Sequence, residues 1–190
     1  MLKLNVITVS TRPTRVGPAV SKWFIDLASE EFSDTFDIVD VDLADFNLPV
    51  FNEPKHPRFK DYENEATKIW SASVESADAY VFVTPEYNYG PPPSFVNALS
   101  YLAGEWHYKP AAFVSYGGVS GGLRGVQMEK LLLTTFRVVP IFEAVPIPMF
   151  SEHIEDGLFK AKEIHVDSAR MMIPELARWA NALKVMRKKD

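Results

Sequence analysis

The chain has 190 residues, 47% hydrophobic and 24% charged, which fits one globular domain with a substantial core. No apolar run approaches the roughly 20 residues of a membrane span, and a formal net charge of −5 argues against a nucleic-acid partner, whose phosphates need a basic surface. The absence of cysteine excludes disulfides, thiolate catalysis and cysteine-ligated metal, so redox chemistry would require a borrowed cofactor.

Met1 to Val6 lacks the charged region, apolar run and small-residue cleavage site of a secretory signal, so a cytoplasmic location is expected. Leu2 to Val9 reads as a first strand, followed by a loop, Ser10 to Gly17, rich in Ser, Thr, Arg and Pro. Pro18 then opens a helix in which Val20, Trp23, Phe24, Leu27 and Ala28 form one apolar stripe. Asp37 to Leu43 alternates Ile38, Val39 and Val41 with Asp40 and Asp42, as a strand nearer a sheet edge would. The connection over 44–61, with Pro49, Pro54 and Pro57, is too long for a simple turn and reads as a lid or partner-contact segment.

Glu63 to Ser76 carries Ala66, Ile69, Trp70, Ser73 and Val74 at helical spacing. Ala79 to Val83 is apolar, β-branched or aromatic throughout, the composition of a strand buried on both faces, and the run ends at Thr84 and Pro85. Three prolines, Pro91 to Pro93, enter a short helix over Ser94 to Ala103. Pro110 to Tyr116 is a fourth strand, the Gly-rich segment Gly117 to Gly122 a loop, and Leu123 to Phe136 a helix. Pro140 and Pro146 put a fifth strand, Val138 to Ile147, at an edge. The last helix spans about Glu163 to Arg187, kinked or restarted at Pro174, with basic residues from Lys184 to Lys189 matching its C-terminal dipole.

Alternating strands and helices imply a doubly wound five-stranded parallel sheet of order 2-1-3-4-5 with helices on both faces. In such a sheet ligands sit at the switch point, where the loops after strands one and three meet beside that of strand four. The first loop puts Ser10, Thr11, Arg12, Thr14 and Arg15 at a helix N-terminus, which suits a phosphate. It has neither a G-x-G-x-x-G fingerprint nor a P-loop lysine, so a mononucleotide held without Mg²⁺ fits better. The loop from Pro85 to Gly90 offers Glu86, Tyr87, Asn88 and Tyr89; it suits a flat aromatic ligand, or alternatively a rigid turn capped by aromatic packing. His56, His107, His153 and His165 have no metal-ligand spacing, and packing or surface roles are expected for them.

Thr84-Pro85-Glu86-Tyr87-Asn88 followed by Asn97-Ala98-Leu99, with Ser10-Thr11-Arg12-Pro13-x-Arg15-x-Gly17 and Tyr116-Gly117-Gly118-x-Ser120-Gly121-Gly122, resembles the flavodoxin-like NAD(P)H-dependent FMN reductases, relatives of quinone, azo-dye and chromate reductases. The resemblance implies FMN as cofactor and NAD(P)H as co-substrate, with electrons passing on to a quinone, azo dye, metal ion or free flavin. It assigns Ser10, Arg12, Arg15, Val16 and Gly17 to the FMN phosphate. Pro85, Glu86, Tyr87, Asn88 and Tyr89 would edge the isoalloxazine, strap N–H groups meeting its carbonyls, and Ser115, Tyr116, Gly117 and Gly118 would support its other end. No catalytic side chain is required. Val96 and Ser100 stand where relatives commonly carry Lys and Asp.

The resemblance also implies a homodimer or homotetramer covering the flavin. Trp106, His107 and Tyr108, read as exposed near Tyr87 and Tyr89, and Pro49 to Pro57 on the same rim would contribute with the helix from Ser94 to Ala103. Other readings are a flavodoxin-type carrier without NAD(P)H activity and an interaction module that has lost its flavin. A serine hydrolase is a further one, since Gly118 to Gly122 matches G-x-S-x-G with Ser120 ahead of Asp156 and His165.

Overall fold

A computed structural model describes residues 1–187. Five parallel strands, β1 (Leu2–Thr8), β2 (Phe36–Asp42), β3 (Ala79–Pro85), β4 (Pro110–Tyr116) and β5 (Val139–Ile147), form one sheet in the order β2-β1-β3-β4-β5. All residues of β3 and β4 are buried, because helices cover both faces and no side chain on either face meets water. The two edge strands have mixed burial, and β5 carries Pro140 and Pro146 with a register irregularity opposite Ala111 to Phe113. A small antiparallel hairpin, β6 (Ile154–Glu155) and β7 (Leu158–Phe159), lies outside the main sheet and is too short to leave a period in the sequence.

The twofold alternation of strand side chains divides the core into two layers. Leu4, Val6, Val81, Val83 and Val114 face α1 (Gly17–Glu31) and α5 (Glu163–Lys184), meeting Val20, Phe24, Ile173 and Leu176. Ile7, Tyr80, Phe82 and Phe113 face α2 (Glu65–Ser76), α3 (Pro93–Ser100) and α4 (Leu123–Thr135). That second layer is aromatic: Trp106 meets Trp70, Tyr80 and Phe82 with ring centroids 5.1–6.3 Å apart.

Trp106 therefore corrects the expected assembly surface. It is 0% exposed and packs on Tyr80 at the start of β3, whereas Tyr87 follows that strand's carboxyl end. His107 and Tyr108 are half-buried beside it. The long connection is pinned by side chains at both ends. Asn97 donates Nδ2 to the Pro49 carbonyl (2.6 Å) and accepts from the Phe51 N–H (2.9 Å), while the Glu53 carboxylate accepts from the Glu63 and Asn64 N–H groups. α5 runs unbroken past Pro174, because that residue is exposed while Ile173, Leu176 and Ala177 anchor the helix from within. Of the basic cluster, Arg187 and Lys184 pair with Asp78 (2.7 and 3.8 Å), and Lys188 and Lys189 lie outside the described residues. Among the described residues no helix is long and apolar enough to cross a membrane.

Candidate functional site

The loops after β1, β3 and β4 meet around a cleft of about 220 Å³ at the strands' carboxyl ends. In the first loop Ser10 is fully buried and its hydroxyl is 2.7 Å from the Tyr87 hydroxyl, tying the loop to the one after β3. Arg12 is exposed, with its guanidinium 5.6 Å from the Tyr87 ring centroid and no ion-pair partner among the described residues. Arg15 differs from it, because its guanidinium is bound to Asp42 at 2.6 Å; its Nε is buried without an acceptor. Of the two guanidinium forks in this loop, Arg12 is the uncompensated one. α1 starts at Gly17 behind an N-cap, Val16, that supplies no side-chain acceptor to the first turn's N–H groups. A Cβ on Gly17 would stand 3.0 Å from both Thr8 Cγ2 and the Tyr116 hydroxyl, so glycine lets the helix start here without displacing either side chain.

The second loop is a tight hairpin turn. Tyr87 and Gly90 exchange two backbone hydrogen bonds (3.0 and 2.9 Å), and Asn88 and Tyr89 between them have φ of 51° and 66°. The Glu86 N–H donates to the Tyr116 carbonyl at 3.2 Å, and the Tyr87 N–H to Gly90. Those two N–H groups are engaged within the protein. The Glu86 carboxylate is committed as well. It accepts from the Ser120 hydroxyl (2.8 Å), the Arg124 N–H (3.0 Å) and the Gly125 N–H (3.4 Å), and so closes the start of α4. Burial raises its pKa, but the bonds from Ser120, Arg124 and Gly125 outweigh that and hold it below the usual carboxylate range.

In the third loop Gly121 and Gly122 have left-handed φ of 61° and 88°, where a Cβ would strike the backbone of Ile147, Pro148 or Tyr116. A Cβ on Gly118 would meet nothing, so glycine there leaves open space on the cleft. Burial, then the neighbouring Tyr87, pushes the Tyr116 phenol well above its usual pKa, and it stays neutral at any ordinary pH. Its ring meets Phe150 at 5.7 Å, and Phe150 lines the cleft.

Of the residues singled out from sequence, Ser10, Arg12, Arg15, Val16, Pro85, Glu86, Tyr87, Tyr116, Gly117 and Gly118 line this cleft. Gly17 and Ser115 do not; both stand behind it, Ser115 holding the Gly121 carbonyl at 2.8 Å. Asn88 and Tyr89 lie outside it at the exposed tip of the turn. Thr14 of the first loop also lines the cleft, and so does Phe150, which no sequence motif marks. Phe150 follows the fifth strand's carboxyl end, a position from which topology could have nominated it. A wider cavity of about 1130 Å³ lies alongside, between residues 43–51 and the start of α3, and is mostly apolar.

The hydrolase arrangement does not form. Ser120 gives its hydroxyl to Glu86, while His165 accepts from the Lys162 N–H and packs on His153 and Phe159; Asp156 sits in the β6–β7 turn. What the cleft offers is an uncompensated guanidinium, a buried hydroxyl, an Nε–H without an acceptor and a helix N-terminus for an anion. Beside them, Tyr87, Tyr116 and side-chain-free Gly117 and Gly118 leave a slot for a flat ring. The volume is below the roughly 300–1,000 Å³ of enclosing ligand pockets, so such a ligand would be held by one side with a face left open. FMN fits this donor set.

The model of the NADPH-dependent FMN reductase family matches residues 2–152. An NAD(P)H-dependent FMN reductase of Nectria sp is 40% identical over 136 residues, covering 70% of this chain and 68% of that relative. One from Saccharomyces cerevisiae is 32% identical over 173 residues, covering 86% and 91%. Among solved structures, the flavoenzyme NAD(P)H:(acceptor) oxidoreductase FerB of Paracoccus denitrificans has the same fold, with a TM-score of 0.73 at 22% identity over 96% of this chain and 98% of that one.

Proposed function

The chain belongs to the NADPH-dependent FMN reductase family, and on that premise we propose that it is an FMN-dependent NAD(P)H oxidoreductase delivering electrons to a small-molecule acceptor. The observation that carries this reading is the convergence of Arg12, Ser10 and the unpartnered Arg15 Nε on the cleft that Tyr87, Gly117 and Gly118 line.

FMN held by these residues would supply the redox chemistry, hydride acceptance from the nicotinamide and electron delivery to the acceptor. The chain's share is binding, orientation and access. Arg12, free of any carboxylate, is available to a phosphate dianion, and the Ser10 to Tyr87 hydrogen bond fixes the distance between the phosphate end and the ring end of the site. Glu86, bound to Ser120, Arg124 and Gly125, ties the turn after β3 to the start of α4. Tyr116 and Glu86 are held in fixed protonation states and neither is placed to exchange a proton. The opening at Gly118 keeps one side of the site accessible to a second reactant.

Titration of the flavin-free protein with FMN, followed by flavin fluorescence, tests the reading. One equivalent bound with micromolar or tighter affinity is expected. No change in fluorescence would remove the basis for the reading.

A further inference from the structure

We propose that Tyr89 and Arg124 form a platform for the adenosine 2′-phosphate end of NADPH and give the protein a preference for NADPH over NADH; this rests on the oxidoreductase reading above. Tyr89 is the odd residue in its turn. The turn from Tyr87 to Gly90 needs left-handed backbone at both central positions, which asparagine tolerates at Asn88 and which glycine would adopt without strain at the next. A tyrosine at φ 66° is strained, and the residue is 68% exposed, so burial does not offset the strain. It lies outside the FMN cleft, two residues beyond Tyr87.

One face of that ring is covered by the Arg124 guanidinium, 4.4 Å from the centroid. Arg124 sits in the first turn of α4, with its side chain half exposed. Its single carboxylate contact, 3.3 Å to Glu86, is long, and Glu86 is already satisfied by Ser120 and by the backbone of Arg124 and Gly125. The Ser120 hydroxyl and the Arg124 and Gly125 N–H groups stay on Glu86 if the guanidinium turns toward a ligand. A flat ring beside an available guanidinium matches an adenine joined to a phosphate, and the site's rim is where a dinucleotide would lie once its nicotinamide reached the open face of the flavin. A neutral acceptor such as a quinone would use the ring and have no need of the cation.

The test uses the FMN-loaded protein and adenosine 2′,5′-bisphosphate as probe, with binding measured by calorimetry and steady-state kinetics measured with both nucleotides. Arg124→Gln should weaken the bisphosphate roughly ten- to hundredfold, lower the NADPH:NADH ratio of kcat/KM by a similar factor, and leave FMN affinity as it was. Tyr89→Gly should raise the thermal midpoint by relieving strain and raise KM for both nucleotides more than it alters kcat. If Arg124→Gln leaves the bisphosphate affinity and the nucleotide ratio unchanged, or if Tyr89→Gly moves only the KM of a quinone acceptor, the platform proposal is wrong and the oxidoreductase reading stands. If neither nucleotide reduces the flavin of the unmodified protein, both fall.

Discussion

Arg12→Ala is expected to weaken FMN roughly ten- to hundredfold while hardly affecting riboflavin, as read by fluorescence titration of the two flavins. The difference between the ligands is the phosphate alone. Arg12 is exposed, lies over the Tyr87 ring and has no ion-pair partner among the described residues, so its charge is available to an anion. Arg15 is the contrasting case: the Asp42 contact at 2.6 Å already balances it, and its contribution is the single Nε–H left without an acceptor. Because Arg12 supports no packing in the core, the variant should fold as the parent does, and equal losses for both flavins would mean that the phosphate lies elsewhere.

The second large effect is on stability. Glu129 in α4 is 0% exposed; its Oε1 is bonded to the Thr84 hydroxyl at 2.6 Å, and Oε2 has no partner. Burial pushes its pKa up from 4.5 to about 8, and the Thr84 bond lowers it only in part. The folded protein therefore holds a proton on Glu129 that the unfolded chain releases above about pH 4.5. Stability from this group is lost as pH rises from 4.5 toward 8 and is level beyond. A shift of this size corresponds to a change on the order of 5 kcal/mol across that window. Glu129→Gln has no proton to lose, so urea unfolding should show the variant gaining on the parent by about that amount between acid and mildly alkaline pH. A parallel pH dependence for the two proteins would show that Glu129 ionises normally in the fold.

The sequence made the sheet legible because its signals are local. The unbroken apolar run into Thr84 and Pro85 can only be a strand covered on both faces, and Pro140 and Pro146 can only sit in an edge strand. The cleft was legible for the same reason, since the topology sends the ends of β1, β3 and β4 to one place. What was not legible depended on partners distant in the chain. Trp106 follows a polar, Gly-containing stretch that resembles surface, yet Trp70 from α2 and Tyr80 from β3 enclose it. Glu86 lies in a motif that suggests a ligand contact, and its destination, the backbone of Arg124 and Gly125, is 38 and 39 residues away. Asn97 likewise shares a helix with core residues but holds the connection at Pro49 and Phe51, which no periodicity encodes.

Anaerobic mixing of the FMN-loaded protein with NADPH or NADH tests the central claim most directly, because a reductase and a passive electron carrier would bind FMN alike and differ only here. The account predicts loss of the visible flavin absorbance within the time of a catalytic turnover, followed by its return when a quinone is added. A flavin that stays oxidised with both nucleotides, yet is reduced by a separate reductase, would contradict it.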